Sequence, residues 1–297
     1  MPPTAPPTHD DSAPRPVVET RQDSADDGTI KLRLRTCDGH PLEAVLMRFV
    51  RGGGGAAGGA LPPRYTACLS SQSGCALSCT FCATGRMKLG RSLTRGEIVA
   101  QFDELAAIAP TRIDNVVMMG MGEPFHNYDE VLAALRALAD QRGHAIAPRR
   151  MTISTVGWVP GIERFAADDF PARLALSLHA SSDAVRAQLM PVNRRFPLAR
   201  LMQACADYCD ATGRSIFIEY LLLAGVNDSL AQARELADLL ATVHARASFH
   251  VNLIAYNPAG TPYVGSGTDV VHAFRDALRE RGLETSYRVS RGRDIAG

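Results

Sequence analysis

Residues 71–85 read SQSGCALSCTFCATG, which places Cys75, Cys79 and Cys82 in a C-x-x-x-C-x-x-C spacing with no fourth ligand close by. A structural zinc site closes with four ligands, usually two C-x-x-C pairs or cysteines joined by histidines, and this stretch supplies three. Three thiolates can instead hold three irons of a [4Fe-4S] cube and leave the fourth iron open to a ligand that is not protein. A reading as buried apolar cysteines explains neither the spacing nor the position on a loop directly after a β-rich run.

That run, TACLS (66–70), is the first of six strand candidates that alternate with helical patterns at the spacing of βα units and a parallel sheet. The others are NVVMMG (115–120), MTIST (151–155), LALSL (174–178), IFIEYLLL (216–223) and FHVNLI (249–254), and a seventh, ETSYRVS, closes the chain. Thr94-Arg-Gly-Glu97 reads as a capping-box helix start, Tyr128 to Ala139 is amphipathic, and further helices are expected near 198–212, 229–245 and 268–281. Right-handed crossovers roll such units into an α/β fold, a partial (β/α)6 barrel with its chemistry at the carboxyl ends of the strands. The cysteine loop falls at that end.

Ahead of the barrel, IKLRLRTCDGHPLEAVLMRFV (30–50) alternates apolar and polar residues about Asp38-Gly39, the signature of a β-hairpin. In RGGGGAAGGALPP, Gly53, Gly55 and Gly58 satisfy G-x-G-x-x-G, but prolines rather than a helix follow, so the segment reads as a linker. The expected organisation is a disordered Pro/Asp-rich tail over 1–28, a hairpin cap and Gly-rich linker over 29–64, and the barrel over 65–297.

Composition agrees with a folded, water-soluble chain of 297 residues: 46% hydrophobic, 21% charged, mean hydropathy −0.06. No run of ~18 uninterrupted apolar residues argues for a membrane span. The proline- and acid-rich start has neither the basic nor the apolar region of a secretory signal. Seven cysteines in a chain of ordinary size point to reduced thiols in a cytoplasm rather than a disulfide scaffold. Net charge is +1, but residues 1–28 carry −4, leaving +5 on the remainder, with basic residues gathered at Arg86/Lys88/Arg91/Arg95, Arg149/Arg150, Arg194/Arg195 and Arg288/Arg291/Arg293. Such clusters permit a polyanion partner, or are simply solvated faces.

With Phe81 in the aromatic place, C-x-x-x-C-x-aromatic-C resembles the mark of the radical SAM superfamily. The resemblance implies a radical SAM barrel whose open iron takes the amino and carboxylate groups of S-adenosylmethionine (SAM), which an electron then splits to a 5′-deoxyadenosyl radical. More of the chain is similar to one family, the RlmN/Cfr RNA adenine methyltransferases. The segments that carry this are ACLSSQSGCALSCTFCATG, NVVMMGMGEPFHN, RRMTISTVGWVPGI, LALSLHA, MPVNRRFP, EYLLLAGVND, VNLIAYNPAGTPY and SRGRDI, in that order. This resemblance implies transfer of a methyl group to an adenine ring carbon, C2 rather than C8, of ribosomal or transfer RNA. It also implies a reductant such as flavodoxin or ferredoxin, and a monomer working in the cytoplasm.

The site residues follow the same resemblance. Cys75, Cys79 and Cys82 are the implied cluster ligands, and Gly122, Glu123, Ser154, Ser177, Leu178, His179 and Asn257 the implied SAM contacts. Each has a plainer reading: Glu123 as an acid in the loop that starts a helix, His179 as a satisfied core histidine, Asn257 as the first residue of an Asn-Pro turn. Glu43 matches the family's general base, with a solvated strand glutamate as the alternative. Adenine C2 and C8 lie between nitrogens and are electron-poor, so the family passes the methyl through a carrier cysteine, and Cys68 matches the second cysteine that frees the product by disulfide formation. Cys68 also reads as a buried strand residue.

The carrier belongs in an A-C-G-Q segment after R-G-x-D-I, where this sequence reads SRGRDIAG and reaches Gly297. The carrier and the family's folded amino-terminal domain are therefore expected to be absent. Cys205 and Cys209, at i and i+4 of a predicted helix, read as core. Two alternatives stay open: another reaction on the same scaffold, or a silent RNA-binding relative.

Overall fold

The computed structural model describes residues 14–50, 62–168, 170–243, 249–258, 260–288 and 290–295. Strands β1 (Val17–Asp23), β2 (Ile30–Arg35) and β3 (Pro41–Phe49) run antiparallel, and β4 (Arg64–Cys68) pairs antiparallel with β3. From β4 the sheet turns parallel through β7 (Asn115–Met118), β8 (Met151–Thr155), β9 (Arg173–Ser177), β10 (Ile216–Leu222), β11 (Phe249–Ala255) and β12 (Glu284–Arg288). Strand order equals chain order, so each unit lays its strand beside the one before. A two-stranded ribbon, β5 (Gln72–Ser73) with β6 (Arg91–Ser92), brackets the cysteine loop.

Helices α1 (Arg95–Ile108), α2 (Tyr128–Ala139), α3 (Val159–Ala167), α4 (Asp183–Leu189), α5 (Leu198–Thr212), α6 (Leu230–Ala241) and α7 (Thr268–Glu280) supply the crossovers. The capping box expected at Thr94 is present: its hydroxyl accepts the Glu97 N–H and the Glu97 carboxylate accepts the Thr94 N–H. Among the described residues no helix is long and apolar enough to cross a membrane.

Alternation along the strands divides the sheet into two faces. Leu42, Ala44, Leu46, Ala67, Val116, Ile153, Leu174, Leu176, Ile218 and Val251 are buried in the main core beneath the helices. The opposite face is polar. Register places Cys68 opposite Val45, two residues from Glu43 on the same face, and continues that face through Val117 and Thr152 to Ser154, Ser177, Glu219, Asn252 and Ser286.

One expectation needs correction. The tail expected over 1–28 contains β1, whose residues Val17 to Asp23 pair with Arg35 to Ile30 across a bulge at Val18/Thr20. The β-branched pair Val17-Val18 suits a strand, and Glu19 reaches Arg33 and Arg35 on the neighbouring strand. The cap is thus three-stranded rather than a hairpin. Residues 1–13 of that tail, and the 51–61 portion of the linker, lie outside the described residues. The two edges of the sheet are strapped together: Asp294 accepts hydrogen bonds from Ser24 Oγ (2.6 Å) and Ala25 N (2.9 Å), while Asp27 accepts from Gly292 N (2.9 Å).

Candidate active site

The cysteine loop leaves β4 at the carboxyl end of the parallel strands, as expected. All seven cysteines are free thiols. Thr80 N donates to Leu189 O and Cys82 N to Cys79 O, which dock the loop on α4 and turn it back on itself. Gly85 packs so closely that a side chain there would meet Cys79 O at 2.6 Å, and Gly74, at φ +76°, would meet Lys88 O at 2.1 Å. Glycine is required at both places to wind the loop.

The thiols feel one another. Burial pushes the Cys79 thiol up to about 12, and the neighbouring Cys82, Cys75 and Glu123 charges push in the same direction. Cys75 is raised mainly by burial, against which the Leu77 N–H acts, with further contributions from Glu123 and Cys82. Among the described residues no three His, Cys, Asp or Glu side chains converge tightly enough for a single metal ion. A cubane takes one thiolate at each of several corners, so three free thiols on one tightly wound loop suit that group better than a lone ion.

Beside the loop lies a cavity of about 290 Å³, lined in part by Phe81, Gly122, Glu123, Ser154, Ser177 and His179. Five of the seven residues expected to contact SAM are among its walls. Gly122 has φ +99°, and a side chain would strike Gln72 Cβ at 2.6 Å; Gln72 Oε1 in turn accepts the Glu123 N–H (3.0 Å). Glu123 accepts from Phe125 N (3.0 Å) and Val156 N (2.9 Å), so its carboxylate starts the turn Pro124–Asn127 and ties β7's loop to β8's. Burial nonetheless pushes it up to about 7 against those hydrogen bonds, and among the described residues no cation pairs with it.

Ser154 and Ser177 hydroxyls stand 3.4 Å apart on adjacent strands. His179 has φ +56°, a left-handed backbone held by Asn227, whose amide donates to His179 O (2.8 Å) and Leu221 O (2.7 Å) while accepting Leu223 N (2.7 Å). Leu221 N donates to His179 Nδ1 (3.0 Å), so the neutral ring carries its proton on Nε2. Burial, and then Arg186, push this histidine down to about 3. It is a satisfied buried histidine and a cavity wall at once, edge-on to Phe81 at 5.0 Å.

Leu178 differs from expectation. Its side chain is fully buried in the core, and both its N–H (to Glu219 O) and its carbonyl (from Arg186 Nε) are already used, while its neighbours Ser177 and His179 line the cavity. Asn257 is half-buried just beyond β11 and is not among the cavity walls.

Glu43 and Cys68 lie on the polar face, on adjacent strands. Lys31 Nζ stands 3.7 Å from Glu43 Oε1, and Ser70 Oγ donates to Glu43 O. Cys68 is half-buried, its thiol pushed up to about 12 by desolvation against the Met119 N–H. Cys205 and Cys209 are buried in α5 within the core.

Three residues escaped the sequence reading. Arg186 is fully buried and donates to Leu178 O (3.2 Å), Asn193 Oδ1 (2.9 Å) and Val156 O (2.5 Å), pinning the loops after β8 and β9 together. Asn227 fixes His179. Glu219 lines the cavity with one oxygen on Asn252 Nδ2 (2.8 Å), and Asn252 passes the chain of hydrogen bonds to Ser286 (2.6 Å). The run E-Y-L-L-L-A-G-V-N-D was the available signal for the last two: a carboxylate inside a buried strand and an asparagine in the following turn.

The Radical SAM superfamily model matches residues 69–240. A Moorella thermoacetica protein named "Probable dual-specificity RNA methyltransferase RlmN" is 46% identical over 285 residues, covering 94% of this chain and 77% of that one. The Myxococcus xanthus "Dual-specificity RNA methyltransferase RlmN 1" is 44% identical over 277 residues, covering 92% and 72%. The crystal structure of a radical SAM methyltransferase from Sphaerobacter thermophilus superposes with a TM-score of 0.85 at 42% identity, over 94% of this chain and 79% of the other. The cysteine loop, the cavity beside it and these likenesses agree, and the chain belongs to the RlmN family of RNA methyltransferases within the radical SAM superfamily.

Proposed function

We propose that the protein methylates an adenine ring carbon, C2, of ribosomal or transfer RNA in the cytoplasm, with Cys75, Cys79 and Cys82 holding a [4Fe-4S] cluster and the adjoining cavity holding SAM. The observation that carries the reading is the placement of three free thiols and a polar cavity side by side at the carboxyl end of one parallel sheet. When bound, the cluster and SAM supply a reducing electron and a 5′-deoxyadenosyl radical.

The chain's own residues do the rest. Glu123, buried and lacking a cation, accepts from the methionyl ammonium; Ser154 and Ser177 offer hydroxyls, and His179 offers Nε2–H as a donor that stays neutral at any working pH. Asn257 completes the set from the loop after β11. Glu43 removes a proton from the modified ring, positioned by Lys31, and Cys68 on the neighbouring strand is the thiol placed to resolve an enzyme–product link, a step that requires a carrier cysteine that residues 1–297 do not supply. The target base must leave its stack to reach these groups.

The test is anaerobic: iron–sulfide-reconstituted protein, a flavodoxin or ferredoxin reductant, SAM and total RNA. 5′-Deoxyadenosine and C2-methyladenosine are expected together. Cleavage with no methyladenosine in any RNA would assign the scaffold to a different substrate.

A further inference from the structure

Three loops at the carboxyl end bring His126, Trp158, Arg195 and Phe196 together next to the cavity. His126 sits in the turn begun by Glu123, Trp158 is two residues beyond the cavity residue Val156, and Arg195 and Phe196 follow the turn Pro191–Arg194. The Arg195 guanidinium lies over the Trp158 ring at 4.6 Å and near the Phe196 ring at 5.4 Å. Phe196 meets the indole edge-on at 5.2 Å and 89°, His126 at 4.0 Å and 90°. Trp158 and Phe196 also pack against the apolar cluster that contains Cys79, so the plane is fixed relative to the cysteine loop.

The charge on this plane is not spent within the protein. Arg194 and Arg195 are exposed, and among the described residues no carboxylate pairs with either; nearby Arg164 and Arg200 pair with Asp129 and Glu163. An exposed guanidinium over an indole offers solvent both its planar cationic face and its N–H groups. A free phosphate uses the N–H groups alone and gains nothing from the aromatic neighbours. A nucleotide uses both, its base on the cationic plane and its phosphate on the N–H groups.

We propose that Trp158, Arg195 and Phe196 form a stacking platform for one unpaired base of the RNA, beside the cavity assigned to SAM, with Arg194 adding charge for the backbone. The proposal rests on the reading that RNA is the substrate, and the platform holds a neighbour of the flipped nucleotide in place while the target is out of its stack.

The probe is a short single-stranded RNA with 2-aminopurine moved through each position, titrated against wild type, Arg195→Lys and Arg195→Ala, with thermal midpoints as the fold control. Wild type quenches the fluorescence at one position. Arg195→Ala abolishes that quench and weakens binding about 5- to 100-fold, the range of one lost base stack. Arg195→Lys keeps the salt dependence of binding but loses the quench, because it keeps the charge and not the plane. Wild-type binding without a quenched position, or Arg195→Lys behaving as wild type, would overturn the platform and leave RNA as substrate. A wild type that binds no RNA removes both.

Discussion

On the β8–β10 side of the cavity, polar groups are held by other polar groups; on the β4 side, Cys75 and Cys79 are buried beside the charges of Cys82 and Glu123. His179 has its Nδ1, its carbonyl and its left-handed backbone fixed by Leu221 and Asn227, and Arg186 spends donors on three acceptors from three segments. Across the cavity, burial first, and then the neighbouring Cys82 and Glu123 charges, raise the proton affinity of Cys75 and Cys79. The first half is finished by folding and can receive a nucleoside without rearrangement. The second has its geometry wound by Gly74 and Gly85 but its electrostatics unresolved, which is the state expected of ligands that shed protons when a metal group binds.

The sharpest way to separate the halves is to remove one thiol. Cys75→Ala, Cys79→Ala or Cys82→Ala is expected to reduce iron after reconstitution to background, with complete loss of SAM cleavage, while the urea midpoint of the metal-free protein moves little. Iron content and 5′-deoxyadenosine are the readouts. Cys79→Ala with full iron loading would break the ligand assignment.

Arg186 tests the opposite half. Arg186→Met leaves Leu178 O, Asn193 Oδ1 and Val156 O without their donor in the interior, at a cost on the order of 3–5 kcal/mol in denaturant unfolding. SAM affinity should fall with stability because two of those acceptors flank the cavity. Iron content per folded molecule should hold. A parallel loss of iron would show that the halves are one unit.

The unequal construction of the two halves also decides what the sequence could reveal. The parallel strands were legible because each is a short apolar run bounded by turn residues, and α1, α2, α5, α6 and α7 because caps or 3.6-residue periodicity mark them. α3 and α4 were not: one begins at Val159-Pro160-Gly161 and the other spans only Asp183–Leu189, too short for a period to emerge. β1 was hidden in a stretch whose prolines and acids read as a tail, since its pairing with β2 is a property of the partner strand as much as its own. The cysteine triplet was visible because spacing is local. Arg186 and Asn227 were invisible because each matters through carbonyls contributed by distant segments, and backbone acceptors leave no mark in side-chain identity.

The smallest of these effects concerns Glu123, the residue that joins the halves. Its folded pKa of about 7 lies above the ordinary glutamate value of 4.5, so the neutral form is the one favoured by the fold. The sign follows: the contribution to stability is fully present below pH ~4.5, falls as pH rises through ~7, and totals about 3 kcal/mol over that window. Glu123→Gln shifts the whole curve by a constant, since an amide accepts only one of the hydrogen bonds from Phe125 and Val156, but it removes this slope. Urea unfolding of metal-free protein between pH 4 and 8 should therefore show wild type losing about 3 kcal/mol relative to Glu123→Gln. Saturating SAM should flatten the difference, because an ammonium beside the carboxylate favours its ionised form. Parallel curves without ligand would show that Phe125 and Val156 already satisfy the charge, and the cation-short cavity would lose its basis.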